Sequence, residues 1–97
     1  MDDFDSKANQ KLEQLSHFFE DFWPHADVDL FEDSLVINLP GGLQYLINKH
    51  GVTCQIWLSS PFTGAHHFKR KNDIWVHTRS DEQLEHFLQH EKTDHAS

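Results

Sequence analysis

The sequence predicts an α+β fold, with a helix near each end of the chain and a mainly antiparallel sheet of about six strands between them. Three observations lead there. Apolar residues recur at three- and four-residue steps near both ends of the chain, the pattern of amphipathic helices. Between them, from about residue 27 to residue 78, short runs of alternating polarity are separated by turn residues. Those runs stand too close together for crossover helices, so neighbouring strands should run antiparallel.

The first helix is expected over about residues 5 to 22, where Phe4, Ala8, Leu12, Leu15, Phe18, Phe19 and Phe22 make one stripe suited to covering a sheet. Asp3, Asp5 or Ser6 can serve as its N-cap, and Trp23, standing before Pro24, is biased away from helical geometry. Asp27-Val28-Asp29 reads as a short strand with both aspartates on one face. Leu35 to Leu39 and Leu43 to Asn48 alternate around Pro40-Gly41-Gly42, a glycine-bearing hairpin turn. Gly51 marks the next turn. The run 54 to 59 follows, with Cys54, Ile56 and Leu58 on one face and Gln55, Trp57 and Ser59 on the other. His67-Phe68 and Ile74 to Thr78 complete the sheet. Ser80 and Gln83 have capping-box spacing, and Leu84, Phe87 and Leu88 supply the stripe of a second helix over about residues 81 to 91. The histidine-bearing tail, 92 to 97, should fray, because only Ala96 is apolar beyond Leu88.

At 97 residues the chain is expected to form a single domain, 1–97, able to bury a modest core without disulfides. Cys54 is the sole cysteine, no segment reads as a signal peptide or membrane span, and the acidic start is wrong for an organellar transit peptide. A reducing cytosol is the expected setting. The net charge of −8 is unevenly spread. Residues 1 to 33 hold ten acids against two lysines, residues 49 to 79 hold five basic residues against Asp73, and residues 80 to 97 hold five acids against Lys92. Such a polar field repels nucleic acid at the acidic end and attracts cations or a basic protein surface there.

Trp57, on the polar face of its strand, is either an anchor for a protein partner or an indole covered by a helix or a long side chain; alternation alone leaves both open. The acids Glu13, Glu20 and Asp21 on the first helix could be a solvated face. Glu20 and Asp21 nevertheless lie only six residues before Asp27, across a Pro turn, so the four carboxylates of Glu20, Asp21, Asp27 and Asp29 are expected to converge on one edge. Their repulsion would be relieved by a multivalent cation. Glu82, His86 and His90 recur at four-residue steps without a closing ligand, which makes a poor zinc site. There is no Ser/His/Asp ordering, phosphate loop or Cys-x-x-Cys, so no enzyme activity is expected.

Gln55-Ile56-Trp57-Leu58-Ser59-Ser60-Pro61, followed by Thr63-Gly64, His67-Phe68, Trp75 and Arg79 before a final helix, resembles the frataxins, the bacterial members most closely. The resemblance runs from Phe4 to Leu88. It implies a two-layer α/β sandwich, the N- and C-terminal helices packed on one face of the sheet, and an iron-binding regulator of iron–sulfur cluster assembly that docks on the cysteine desulfurase, alone or with the scaffold protein. The alternatives are an iron carrier or ferroxidase-like protein, or an acidic adaptor with incidental metal binding. Carried over residue by residue, the family's acidic ridge falls on Glu20, Asp21, Asp27 and Asp29, with Asp3, Asp5, Glu13, His17 and His25 as weaker candidates. Ser16 and His17 stand where acids are usual, and Trp23 and His25 where further aspartates often stand, so the ridge is thinner than the bacterial pattern. Fe²⁺ or Fe³⁺ would bind weakly at the surface, with other divalent ions or lanthanides as substitutes, because exposed carboxylate oxygens suit hard cations. The resemblance also places Trp57, Gln55, Asn48 and Lys49 on a partner-binding surface of a chain that is a monomer or forms metal-driven oligomers.

Overall fold

The computed structural model describes residues 3–95. Two helices, α1 (Phe4–Phe22) and α2 (Leu84–His95), cover one face of a six-stranded sheet. The strands are β1 (Asp27–Leu30), β2 (Ser34–Asn38), β3 (Gln44–His50), β4 (Gln55–Ser60), β5 (Gly64–Lys71) and β6 (Ile74–His77). They lie side by side in chain order, every neighbouring pair antiparallel. This is the predicted α+β sandwich.

Alternation sorts the residues between the faces. Leu35, Ile37, Tyr45, Ile47, Ile56, Leu58 and Phe68 point toward the helices and are buried. Phe4, Ala8, Leu12, Leu15 and Phe19 meet them from α1, and Leu84 and Leu88 from α2. Ring contacts join the layers, with Phe19 5.4 Å from Tyr45 and Phe4 6.1 Å from Trp75. Phe18 and Phe22, at the margin of the α1 stripe, are half-buried and stack on each other at 4.9 Å. The β2–β3 turn needs glycine, since Gly41 and Gly42 take φ of +87° and +82°.

Local details differ from the expectations. Asp3 stands at the N-cap of α1 without capping it, because its carboxylate accepts a hydrogen bond from Arg70 Nη2 at 2.9 Å. Cys54 lies in the β3–β4 turn at φ +56° and is exposed, so the strand begins one residue later. The second helix starts at Leu84 rather than near residue 81. Asp81 takes φ +60°, His77 N–H donates to Glu82 O, and Gln83 bridges Val76, so this stretch seals the outer side of β6 instead of turning helical. Ser80 Oγ accepts from Glu82 N–H, two residues on, and no capping box closes on Gln83. Residues 92 to 95 are helical, not frayed. Lys92 Nζ donates to Phe22 O at 2.5 Å and sits over the Phe22 and Trp23 rings, tying the end of α2 to the end of α1. Ala96 and Ser97 lie outside the described residues.

Candidate functional site

The face of the sheet opposite the helices carries the most distinctive surface. Since Ile56 and Leu58 point into the core, Gln55, Trp57 and Ser59 must point outward. Register sets Trp57 between Asn48 on β3 and His67 on β5. The indole is sandwiched between two imidazoles, His50 at 3.6 Å with planes 9° apart and His67 at 4.3 Å with planes 12° apart. Its Nε1–H donates to Gln55 Oε1 at 2.9 Å. Trp57 is therefore half-buried, held in place by neighbours within its own sheet, with no helix over it. Each stack contributes about 0.5–1.5 kcal/mol beyond area burial, and a protonated imidazole in the same place adds cation–π attraction. His50 and His67 were not legible as Trp57's partners before the register was known.

Lys49 does not belong to this surface. Adjacent strand residues point to opposite faces, and Asn48 shares the face of Trp57, so Lys49 turns toward the helix layer. Its ammonium lies 3.0 Å from Asp5 and 3.2 Å from Asp33, and only 8% of its side chain is exposed. It ties the start of α1 to the β1–β2 turn.

The acidic candidates are placed but not gathered. Val28 packs against the core, so Asp27 and Asp29 point to the outer face, opposite Asn38 and Val36. Glu20 and Asp21 lie on the exposed side of the last turn of α1, in the helix layer. The expected convergence is thus not realised. Among the described residues no group of three or more His, Cys, Asp or Glu side chains is disposed to hold a metal ion. The donors fit an exposed site of one or two carboxylates completed by water, the arrangement of a weakly held hard cation, not a cage. Of the weaker candidates, Asp3 is engaged by Arg70, whose hydrogen bond holds its carboxyl below the usual range, and Asp5 by Lys49. His17 Nδ1 lies 3.5 Å from Glu20, and Glu13 and His25 are exposed.

A second polar centre lies between the layers. Glu91 follows Leu84 and Leu88 on the sheet-facing stripe of α2 and is 4% exposed. Its Oε1 accepts from Tyr45 Oη at 2.7 Å and from Ser60 Oγ at 2.8 Å, and its Oε2 accepts from Thr63 Oγ1. Burial, then the Glu91 carboxylate, pushes the Tyr45 hydroxyl far above its ordinary range. Thr63 Oγ1 continues to His66 Nε2 at 2.7 Å, and His66 Nδ1 to His77 Nε2 at 3.0 Å. Nothing in the sequence marked Glu91, which stands in a polar stretch. Its only signal is its spacing of three and seven residues from Leu88 and Leu84. Beside it, a mostly apolar cavity of about 410 Å³ opens between the ends of the two helices, walled by Trp23, Leu43, Phe62, Lys92 and His95.

Among the described residues no helix is long and apolar enough to cross a membrane. The family model of the frataxin-like domain matches residues 1–97. The chain is 34% identical over 90 residues to the mitochondrial frataxin homolog of Saccharomyces cerevisiae, covering 93% of this chain and 51% of that one. It is 31% identical over 84 residues to the iron-sulfur cluster assembly protein CyaY of Thioalkalivibrio sulfidiphilus, covering 84% and 78%. The chain thus spans about half the length of the yeast relative (51%) and of the mitochondrial frataxin of Arabidopsis thaliana (52%). Among solved structures, the frataxin from Psychromonas ingrahamii superposes with a TM-score of 0.85 at 22% identity, covering 99% of this chain and 92% of that one. Trimeric yeast frataxin, in a crystal structure described as complexed with ferrous iron, superposes with a TM-score of 0.71 at 28% identity, covering 97% and 85%. With the family model spanning its whole length and the six-stranded sheet under two helices matched in these structures, the chain belongs to the frataxin family.

Proposed function

We propose that the protein regulates iron–sulfur cluster assembly by docking on a cysteine desulfurase, alone or with its scaffold partner, through the sheet face that the helices leave open, with ferrous iron tuning the contact. One observation carries the reading: the register places Trp57, Gln55, Asn48 and the two aspartates Asp27 and Asp29 on that same face. A flat, pre-ordered indole brings contact area with little rotamer entropy left to lose, and the aspartates add a negative edge for a basic partner. Lys49 has no part in this surface. Iron is cargo or signal here. An exposed pair of aspartates holds it weakly, on the order of micromolar or poorer, and releases it to a chelator. Kinship with a protein named for iron–sulfur cluster assembly supports this reading, as does the ferrous complex of the yeast relative. The cytoplasm of a bacterium is the compartment that fits it.

The test is capture of purified desulfurase by the immobilised protein at increasing salt. Screening should weaken the contact steadily, and Trp57→Ala should weaken it by about 2 kcal/mol. Capture indifferent to both would contradict the proposal. The likeness to a trimeric ferrous frataxin favours a second reading, iron carriage by an oligomer. Oxidation of ferrous iron in large molar excess, with a matching rise in particle size, would support that one instead.

A further inference from the structure

Starting at Glu91, the hydrogen bonds around it run in one direction only. Thr63 Oγ1 gives its proton to Glu91 Oε2, so toward His66 it can only accept, and His66 Nε2 must carry a proton. In a neutral ring that leaves His66 Nδ1 bare, and His77 Nε2 must then be the donor between the two imidazoles. His77 Nδ1 is left bare in turn, and it accepts the backbone N–H of Arg79 at 3.1 Å. The Arg79 amide fixes the same tautomer independently from the far end, so the chain is consistent from both ends only when both rings are neutral. A metal between the rings is disfavoured, because the His77 Nε2 that would bind it holds a proton.

We propose that His66 and His77 form a proton-sensitive latch, closed when both rings are neutral, which holds the β4–β5 turn and the last two turns of α2 against the sheet through Thr63 and Glu91. A proton added to His66 must sit on Nδ1, facing the His77 Nε2–H; one added to His77 must sit on Nδ1, facing the Arg79 N–H. Either event sets donor against donor and breaks the chain beside the half-buried His66 or the buried His77. The rings are enclosed by Phe68 and Phe87, and burial holds both imidazoles below the usual histidine range. The charged groups facing them are mixed. Glu91 on α2 favours a charged His66 and Glu82 a charged His77, while Arg79, His67 and, for His77, His66 itself oppose it. Opening would loosen the β4–β5 turn, and with it the Phe62–His95 wall of the cavity, leaving Glu91 to Tyr45 Oη and Ser60 Oγ.

Two measurements on the full chain decide it. Ring ¹⁵N spectra at pH 7.5 should show His66 and His77 both neutral with the proton on Nε2; either ring charged, or protonated on Nδ1, overturns the latch. Amide exchange of residues 88 to 95, corrected for intrinsic rates, should show opening increased by about tenfold or more between pH 7.5 and pH 5.5. In a His66→Phe/His77→Phe variant that increase should vanish, and an undiminished increase overturns the proposal. If that variant does not fold, Thr63→Val, which cuts the rings from Glu91, should already open α2 at pH 7.5 and gain less than about twofold on acidification. A parent-like gain in Thr63→Val overturns it equally.

Discussion

Replacing Glu91 by leucine tests whether α2 is held by its buried carboxylate or by its apolar stripe alone. Leucine keeps much of the side-chain volume but removes the acceptor shared by Tyr45, Ser60 and Thr63. The three donors are not equally harmed. Thr63 is exposed and can turn to water, whereas buried Ser60 still accepts from the backbone N–H groups of Phe62 and Thr63 but loses the acceptor of its own O–H. Tyr45 is fully buried, so its hydroxyl is left without an acceptor, at a cost of about 1–3 kcal/mol. Relief from burying the charge offsets part of the loss. Glu91→Leu should therefore lower stability by about 2 kcal/mol, which in a chain of 97 residues moves the melting temperature by roughly 4–8 °C per kcal/mol. Tyr45→Phe removes the orphan in advance. It should cost about 1 kcal/mol alone, and the double variant should be more stable than the sum of the singles by about 1 kcal/mol. Urea denaturation of the four proteins measures the cycle. Additivity within about 0.5 kcal/mol would refute the claim that the phenol and the carboxylate act as a unit.

Three further outcomes are expected. Lys49→Ala should lower stability by about 1–2 kcal/mol, since the lysine stem is buried and Asp5 and Asp33 lose their shared cation, yet leave desulfurase binding unchanged in calorimetry. Asp27→Asn/Asp29→Asn should raise the melting temperature in low salt and reduce the increment that calcium or ferrous ions give, as thermal scans with and without the ions would register. The folded-state imidazoles of His66 and His77 lie below their unfolded value, so the unfolded chain binds more protons as pH falls. Their stabilisation is full above about pH 6.5 and is lost as pH drops below it; a His66→Phe/His77→Phe variant should show a flatter fall of melting temperature over that range.

The fold was legible because burial follows sequence periodicity nearly everywhere. The α1 stripe and the alternation of β2, β3 and β4 each match one buried face. β5 was foreseen only at His67-Phe68, because Phe68 is the one fully buried residue in GAHHFKRK and the rest of the strand carries no apolar rhythm. The end of α2 looked frayed because its anchors there are polar. Glu91 bonds to hydroxyls and Lys92 to a carbonyl and two rings, none of which leaves a hydrophobic signature. The placement of Lys49 beside Asn48 on one surface conflicts with the two-residue period of a strand, and parity alone would have corrected it. Closeness in sequence across the Pro turn suggests convergence of the acids, but β1 turns its aspartates away from the layer that holds Glu20 and Asp21.

The open sheet face as an iron-responsive docking surface is tested most directly by calorimetric titration of purified cysteine desulfurase with the protein and with Trp57→Ala, each with and without ferrous iron. The account predicts binding by the parent that ferrous iron alters measurably, and a loss of about 2 kcal/mol for Trp57→Ala in a variant that still unfolds cooperatively. Equal affinity of parent and variant, unmoved by iron, would contradict it.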